Sequence, residues 1–476
     1  MNTFFEPVRT MAGMDQLNKL LADKNRQELA MQAVAKAGAG DGTTAATAMV
    51  TGCIDTQKIH MAEAVGEQFP FKVIVTYDES KAREMCEDVR FFQTSAMYYP
   101  AKDFIFYSAD IHGNQMVGER IRCVYELIQA CRENRPLTIV TTIDALSDMV
   151  VPLKRYEEAM LPIKNGTILE TESLAKQLVS IGYERKGMVD GQGQFAIRGG
   201  IIDIFSFVDE APVRIELWDD EVDSIRYFDV ESQRSIEKIQ SYEIFPVTEY
   251  LFTEDEIEAG ITHVKQEQAE QLEKFGISKK KRDQASIEAC NHINRMVADM
   301  ERMKDYSKFI NTFASEVAGF ASYFSVEDTL FVLDEPGRMK ERMDLVEYEY
   351  AESMKNRLAS GYVLPSQTKL MRGIVEIYKA ISGVRKLLLT TMIYKPFGLN
   401  VDYSMNIDAR SINSYNNSFE YLSDDLKKYK RTGYKTVLVC NSRTRAARIV
   451  EDLKALDTEC YFSEDFSRRF NRERSW

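Results

Sequence analysis

The chain has 476 residues, of which 44% are hydrophobic and 28% are charged, and its formal net charge is −13. This length is too great for one hydrophobic core and predicts roughly two to four domains. The composition excludes a disordered, collagen-like or disulfide-stapled protein. The net negative charge argues against a nonspecific nucleic-acid coat, so we expect at most weak direct contact with DNA.

No apolar run approaches the roughly 18 residues that a membrane-spanning helix needs, and the first residues lack the features of a signal peptide. We therefore expect no membrane contact. The seven cysteines are never spaced CxxC, which predicts free thiols in the reducing cytoplasm. The four histidines form no zinc motif, so the sequence predicts neither a metal ion nor a cofactor.

Short apolar runs bounded by turns predict buried parallel strands with helices between them. The predicted strands are residues 71–76, 137–142, 329–333 and 435–440, and the predicted helices include 80–90 and 118–130. This alternation predicts an α/β fold built on a doubly wound parallel sheet.

The middle of the chain, from about residue 183 to 247, alternates apolar and polar residues as strands do. Gly199-Gly200 predicts a two-residue hairpin turn. In the following segment, Arg214 and Glu216 point together, away from the apolar residues between them. We therefore expect a small α+β domain inserted into the α/β host, with Arg198, Arg214 and Glu216 on exposed faces.

The C-terminal half contains a charged, helix-prone stretch from 254 to about 315, and its basic run 279–282 is typical of a solvated helix end or loop. Residues 396–416 are poorly periodic and predict a linker. One strand, 435–440, and one helix, 443–456, follow it. Because a single strand and helix cannot bury a core, this terminal α/β domain is predicted to be incomplete.

Two stretches imitate a phosphate-binding loop, which needs closely spaced glycines, a Lys for the phosphates and a Ser or Thr for Mg²⁺. Residues 37–44 have Thr43 at the Lys position. In residues 49–56, which contain Gly52 and end at Thr56, Asp55 stands at the Lys position and would repel a triphosphate. Neither loop is predicted to bind ATP.

Residues 331–335 form an apolar strand that ends in Asp334 and Glu335. Such a pair holds Mg²⁺ and orients water in a working ATPase. Without the loop lysine, no phosphates would be bound next to this carboxylate pair. The sequence therefore predicts a degenerate carboxylate pair and no catalytic residue.

Four consecutive motifs in the central region carry a resemblance. They are GQFAIRGGIIDIF at 193–205, PVRIEL at 212–217, DDEVDSIRYF at 219–228 and DVESQRSIE at 229–237. Together they resemble the signature of the bacterial transcription-repair coupling factor family, whose N-terminal module is similar to the excision-repair protein UvrB. The order of YYPAKDFIFYSADIHG at 98–113, the insert and FVLDE at 331–335 fits as well.

The resemblance implies an architecture. Two pieces of a degenerate, helicase-like first domain flank the insert, and a partial third domain follows. The implied bounds are 1–150 and 246–400 for the two pieces, 151–245 for the insert and 401–476 for the partial domain. The chain resembles a fragment that stops before the family's RNA-polymerase-binding, motor and autoinhibitory domains.

The resemblance also implies a function. The insert would bind the damage sensor UvrA through Arg185, Arg198, Arg214 and Glu216, while Ala196 stands where UvrB has a further arginine. The chain would be an adaptor of transcription-coupled nucleotide-excision repair without ATPase activity, meeting RNA polymerase and DNA only through domains that it lacks. The segment between residues 98 and 119 is too short for the DNA-clamping hairpin of UvrB. One alternative is a UvrB-like helicase subunit that binds ATP and damaged DNA, and another is a structural scaffold.

Overall fold

The computed structural model describes residues 5–36, 44–54, 56–92, 95–102, 113–276, 283–412, 414–416, 418–440 and 442–463. The strands are β1 (Thr47–Thr51), β2 (Phe71–Thr76), β3 (Ala96–Tyr99), β4 (Leu137–Thr142), β5 (Met149–Val150), β6 (Leu161–Lys164), β7 (Glu184–Arg185), β8 (Gln194–Arg198), β9 (Ile201–Phe205), β10 (Val213–Trp218), β11 (Glu221–Phe228), β12 (Ser235–Ile239), β13 (Ser241–Ile244), β14 (Ala318–Gly319), β15 (Thr329–Asp334), β16 (Arg385–Thr390) and β17 (Tyr403–Asn406). The α-helices are α1 (Glu6–Arg9), α2 (Met14–Leu21), α3 (Lys24–Lys36), α4 (Gln57–Gly66), α5 (Glu79–Phe92), α6 (Gly113–Glu133), α7 (Ile143–Ser147), α8 (Leu153–Ala159), α9 (Thr171–Ser180), α10 (Glu254–Lys274), α11 (Gln284–Met303), α12 (Ile310–Phe313), α13 (Pro336–Ala359), α14 (Ile374–Ala380), α15 (Phe419–Arg431) and α16 (Arg443–Ala455).

The host domain is built on a parallel sheet of seven strands in the order β17-β1-β16-β15-β2-β4-β3. Its central strands are buried along their whole length because helices cover both faces. On β2, for example, Val73 and Val75 contact the core on one face, whereas Ile74 contacts the core on the other. The sequence prediction of a doubly wound parallel sheet is confirmed.

The predicted strands 71–76 and 137–142 are confirmed to the residue as β2 and β4, and the third runs one residue further, to Asp334. Part of the predicted linker is a strand instead. Residues 403–406 form β17, which pairs with β1 in parallel and so extends the host sheet beyond the expected boundary at residue 400.

The inserted domain is a sheet of six strands in the order β12-β11-β10-β9-β8-β7, confirming the strand-rich prediction for this region. The predicted hairpin joins β8 to β9 through Gly199-Gly200, and Gly199 adopts a positive φ of 59° that glycine permits. A second pair, β6 with β13, brings the beginning and end of the insert together.

The apolar face of this sheet packs into the same core cluster as the host helix α6. A buried ionic cluster holds the junction between the two domains. Arg120 on α6 contacts Asp148 (Nη1 to Oδ2, 2.6 Å), just before the insert, and Glu249 (Nε to Oε1, 2.8 Å), just after it. Lys102 also reaches Glu249, at 3.2 Å. These ion pairs hold the insert to the host at both points where the chain passes between the two domains.

The charged region after the insert is helical, as predicted, and forms α10 and α11. Helix α10 begins at a capping box in which Thr253 and Glu256 satisfy each other's backbone amides. The basic run 279–282 lies outside the described residues, as do residues 103–112 in the segment between residues 98 and 119.

The prediction of a strand at 435–440 is wrong. Within the described part of the chain, these residues form no strand and pair with none. Val437, Leu438 and Val439 are exposed instead. The predicted helix that follows is confirmed as α16, which packs on α15 through Leu453 and the Ser423–Thr458 hydrogen bond. Across the described ranges, none of the helices has both the length and the apolar character to cross a membrane.

Candidate partner-binding face and degenerate nucleotide site

The insert presents a charged sheet face whose residues are aligned by strand register. Ala196, Asp203, Arg214 and Arg226 lie opposite one another on four successive strands. The alternate residues, such as Phe195, Ile204 and Val213, point to the other face and are buried. The sequence expectation that Arg214 and Glu216 share a face, away from the apolar residues, therefore agrees with the register.

Asp203 is the centre of this face. Its Oδ1 accepts from Arg214 Nε at 2.7 Å, and its Oδ2 accepts from Arg214 Nη2 at 2.9 Å and from Arg198 Nη2 at 2.6 Å. Arg214 also donates to Gln233 Oε1 at 2.7 Å and lies over the Phe228 ring. We call Arg198, Asp203, Arg214 and Gln233 the Asp203 cluster. Its carboxylate is buried and fully compensated by two guanidinium groups.

The two arginines of the Asp203 cluster differ in exposure. The side chain of Arg214 is only 12% exposed, whereas that of Arg198 is 42% exposed. The hydrogen bond to Asp203, opposed by burial, raises the pKa of Arg214. The expectation that both arginines stand free on an exposed face is thus wrong for Arg214, because the adjacent strand supplies a carboxylate that it covers.

Glu216 is also engaged within the insert. It accepts from Ser224 Oγ at 2.7 Å and from both terminal nitrogens of Arg226, one of them at 2.8 Å. Burial opposes its charge, but these hydrogen bonds and the charge of Arg226 outweigh that effect and lower the pKa of Glu216.

Arg185 stands apart from the other three predicted residues. It lies on the edge strand β7, in register with Phe195 rather than with Ala196, so the fold does not place it in the row of Asp203. It is exposed and contacts no charged partner among the described residues. The structure thus brings Arg198, Arg214 and Glu216 together on one face and leaves Arg185 at the edge.

Sequence reasoning missed Asp203 and Arg226. The signal for Asp203 was present, since a carboxylate in the middle of the apolar strand IIDIF needs a cation beside it. Which cation it meets depends on the register between strands, which the sequence alone did not supply.

The second degenerate loop lies where a phosphate-binding loop would, between β1 and α4. Gly52 has a φ of 79°, and a Cβ there would overlap the carbonyl oxygen of Ile407. The following amide, Cys53 N, donates to Thr390 O at 3.0 Å and is therefore already used by the sheet. Thr56 is the N-cap residue of α4 but makes no capping hydrogen bond with its side chain. Asp55 and residues 37–43 of the first loop lie outside the described residues.

Asp334 and Glu335 end β15 at the same edge of the sheet, and a lysine that sequence reasoning missed lies between them. Lys58, in the first turn of α4, places Nζ 2.7 Å from Asp334 Oδ1 and 2.7 Å from Glu335 Oε1. Thr76 donates to Asp334 Oδ2 at 2.7 Å, and Thr391 donates to Glu335 through N and Oγ1. We call these five residues the Lys58 cluster.

The centre of the Lys58 cluster is buried, with the lysine side chain 7% exposed and that of Asp334 1% exposed, whereas Glu335 is partly buried and Thr391 is exposed. Burial opposes the lysine's charge, but the two carboxylates outweigh it and raise the pKa of Lys58. Burial likewise opposes the charge of Glu335, while hydrogen bonds from Lys58 and Thr391 lower its pKa. Burial raises the pKa of the neighbouring Cys53 thiol to about 12, so it remains protonated at neutral pH. Both members of the acidic pair are thus bonded to one cation of the chain itself.

In the part of the chain that the structure describes, no three side chains of the His, Cys, Asp or Glu type are arranged to hold a metal ion. All seven cysteines are free thiols.

Comparison with known proteins agrees with this organisation. Residues 161–250 match the UvrB interaction domain family. The chain is 26% identical over 399 residues to the transcription-repair-coupling factor of Bacillus subtilis (strain 168), covering 82% of this chain and 33% of that protein. It is also 26% identical over 415 residues to that of Staphylococcus aureus (strain USA300), covering 85% of this chain and 34% of the relative.

The chain therefore spans about a third of the length of the curated relatives that it matches. The sequence expectation of a coupling-factor resemblance is confirmed, and the fold has a parallel-sheet host and a separate smaller sheet inserted into it. The chain is similar over most of its length to transcription-repair-coupling factors, and its residues 161–250 match the UvrB interaction domain family.

Proposed function

We propose that this chain is an adaptor module of transcription-coupled nucleotide-excision repair, which binds UvrA through its inserted domain and acts in the cytoplasm. The observation that supports it is the charged sheet face of the matched interaction domain, where Arg198 remains half-exposed while it donates to Asp203. Arginine forks and paired opposite charges give specificity at protein interfaces. Arg185, which is exposed and has no charged partner among the described residues, adds a positive charge at the edge of the same sheet.

Binding of the full chain to purified UvrA, measured by calorimetry, tests this proposal. We expect the parent chain to bind and Arg198→Glu to weaken binding at least about tenfold, which is about 1.4 kcal/mol. Arg302→Glu is the matched control, because Arg302 is an exposed arginine on α11, outside the insert. Absence of binding by the parent, or equal binding by the two variants, would contradict the proposal.

We further propose that the chain carries no ATPase activity of its own. Lys58 supports this, because its ammonium group occupies the space between the two carboxylates that would hold Mg²⁺ in a working site. It is the observation that weighs against the alternative of a UvrB-like helicase subunit. RNA polymerase and DNA would then be met through other regions of a longer protein, with at most weak, salt-sensitive DNA contact here.

Equilibrium binding of Mg-ATP to the full chain distinguishes the adaptor from the helicase subunit. We expect no saturable binding in the micromolar range. Saturable binding that Asp334→Asn abolishes would show a functional nucleotide site and would favour the helicase alternative.

A further inference from the structure

Trp218 ends β10 on the charged face and is 80% exposed. The pairing of β10 with β11 shifts register between Glu216 and Leu217. Leu217 still packs against the core, so Trp218, the next residue, lies on the opposite face with Arg214 and Glu216. It pairs with Glu221 across the hairpin, and Glu221 in turn bridges to Ile168, another exposed apolar residue. An exposed tryptophan and an exposed isoleucine, separated by Glu221, leave apolar area in water at one corner of this face.

The same corner holds the half-exposed arginine. Ile201 lies opposite both Arg198 and Glu216, and Leu217 N donates to Gly200 O at 2.7 Å. This register places the Gly199-Gly200 turn alongside the end of β10. A side chain added at Gly199 would meet nothing within 4 Å, so the space above the turn is open.

The charges around Trp218 are asymmetric. On the side of the glycine turn lies Arg198, whose guanidinium donates to Asp203 Oδ2 at 2.6 Å. On the other side, the hairpin turn carries the exposed acidic residues Asp219, Asp220 and Glu221. A partner that covers this corner therefore meets an aromatic ring and a cluster of negative groups, and it meets the half-exposed guanidinium of Arg198 further along the sheet, at Asp203.

We infer that Trp218 is the apolar anchor of the partner-binding face, inserted into a pocket of UvrA that has a carboxylate on the Arg198 side and basic groups on the Asp219–Glu221 side. This inference rests on the proposed function. Tryptophan and arginine dominate the residues whose truncation most weakens protein interfaces, particularly where both become fully desolvated. In the free chain the ring contributes little to folding because it is mostly exposed.

The test uses the full chain and purified UvrA, with Trp218→Ala as the principal variant. We expect its Kd to rise at least about tenfold, while its melting temperature stays at the parent value. Trp218→Phe should recover most of the affinity, because a phenyl ring keeps much of the apolar area. Tyr348→Ala is the control, since Tyr348 is an exposed aromatic residue on α13 outside the insert.

A spectroscopic measurement separates a direct contact from an indirect effect. The chain has two tryptophans, Trp218 and Trp476, so Trp476→Phe leaves one. With 5-fluorotryptophan incorporated, we expect the ¹⁹F resonance of Trp218 to shift when unlabelled UvrA is added.

Three outcomes are distinguishable. If the parent chain fails to bind UvrA, both the proposed function and the inference fall. If the parent binds and Arg198→Glu weakens binding, but Trp218→Ala and its resonance behave as the control does, the inference alone is overturned. A loss of affinity confined to Trp218→Ala and Arg198→Glu, with a shifted resonance, supports both.

Discussion

The Lys58 cluster and the Asp203 cluster solve the same electrostatic problem in different surroundings. In each, a buried carboxylate at a sheet position is compensated by cations from neighbouring elements. Both cations of the Asp203 cluster are arginines, and one of them, Arg198, reaches solvent. The Lys58 cluster has a single cation, which is enclosed.

This difference separates a structural charge from an available one. An enclosed ammonium group between two carboxylates cannot exchange its partners without exposing a buried charge, which is costly. A half-exposed arginine can rotate towards a carboxylate of a partner while Arg214 continues to compensate Asp203. The space between Asp334 and Glu335 is therefore occupied by Lys58, whereas the Asp203 cluster keeps the guanidinium of Arg198 accessible.

Removal of the enclosed cation should have the largest effect. We expect Lys58→Met to lower the free energy of unfolding by about 3–5 kcal/mol, because it leaves two buried carboxylates without a cation. Urea unfolding followed by circular dichroism measures the change. Lys154→Met serves as the control, since Lys154 is an exposed lysine in a surface pair with Glu158 and its loss should change little. Equal stability of the two variants would show that the Lys58 cluster is not structural.

The stability difference between the parent and Lys58→Met should depend on pH in one direction. The raised pKa of Lys58 means that its contribution is complete below its ordinary value of about 10.4 and is lost only as the pH rises through the folded-state value. The lowered pKa of Glu335 means that its contribution is complete above about 4.3 and is lost as the pH falls through the lower folded-state value.

We therefore expect a constant difference from about pH 5 to 10 and a smaller one in stronger acid. Unfolding curves at a series of pH values measure it. A difference that instead disappeared near neutral pH would indicate that Lys58 is neutral in the folded chain.

Arg214 should show an intermediate effect, because it is mostly covered but shares Asp203 with Arg198. We expect Arg214→Ala to lower the free energy of unfolding by about 1–3 kcal/mol, since a buried carboxylate loses two of its hydrogen bonds. UvrA binding should weaken as well, and Arg214→Lys should restore part of the stability through a single contact. We expect Arg214→Ala to have a lower urea midpoint than the parent. Its UvrA binding should weaken only by as much as the unfolded fraction of the variant accounts for. Unchanged stability of Arg214→Ala would show that Arg214 contributes no more to folding than Arg198 does.

The sequence predicted the elements whose residues carry a local pattern. Apolar runs identified β2, β4 and most of β15, and the glycine pair identified the hairpin between β8 and β9. It also placed Arg214 and Glu216 on one face, because alternation along a strand is local. The edge strand β17 was missed, since its four residues, YSMN, contain no apolar run.

The unpredicted parts of both clusters depend on contacts between distant residues. Lys58 is 276 residues from Asp334 in the chain and lies beyond the eight-residue loop pattern, so no local signal joined them. Burial of Arg214 follows from Asp203 on the adjacent strand. The apolar run 435–440 is the opposite case, in which a local pattern predicted a structure that is not formed. Its residues have a strand-like pattern, but they form no strand because the described residues offer no neighbouring strand to pair with.

Substitution of the exposed arginines should have the smallest effects on folding. For these residues we expect UvrA binding to weaken while the free energy of unfolding stays nearly constant. Arg198→Ala should change the free energy of unfolding by less than about 1 kcal/mol, since its side chain is half-exposed and Arg214 still compensates Asp203. Its effect on UvrA binding should nevertheless reach about tenfold, because the guanidinium becomes buried in the complex.

Arg185→Ala extends this argument to the edge strand, where the arginine contacts no charged partner among the described residues. We expect a stability change within about 0.5 kcal/mol. Its effect on binding should fall below that of Arg198→Ala and decrease with added salt, because an edge charge acts mainly through screened attraction. Calorimetry at two salt concentrations measures this. If Arg185→Ala weakened binding more than Arg198→Ala at both, the partner would approach the β7 edge of the sheet rather than the corner that holds Arg198.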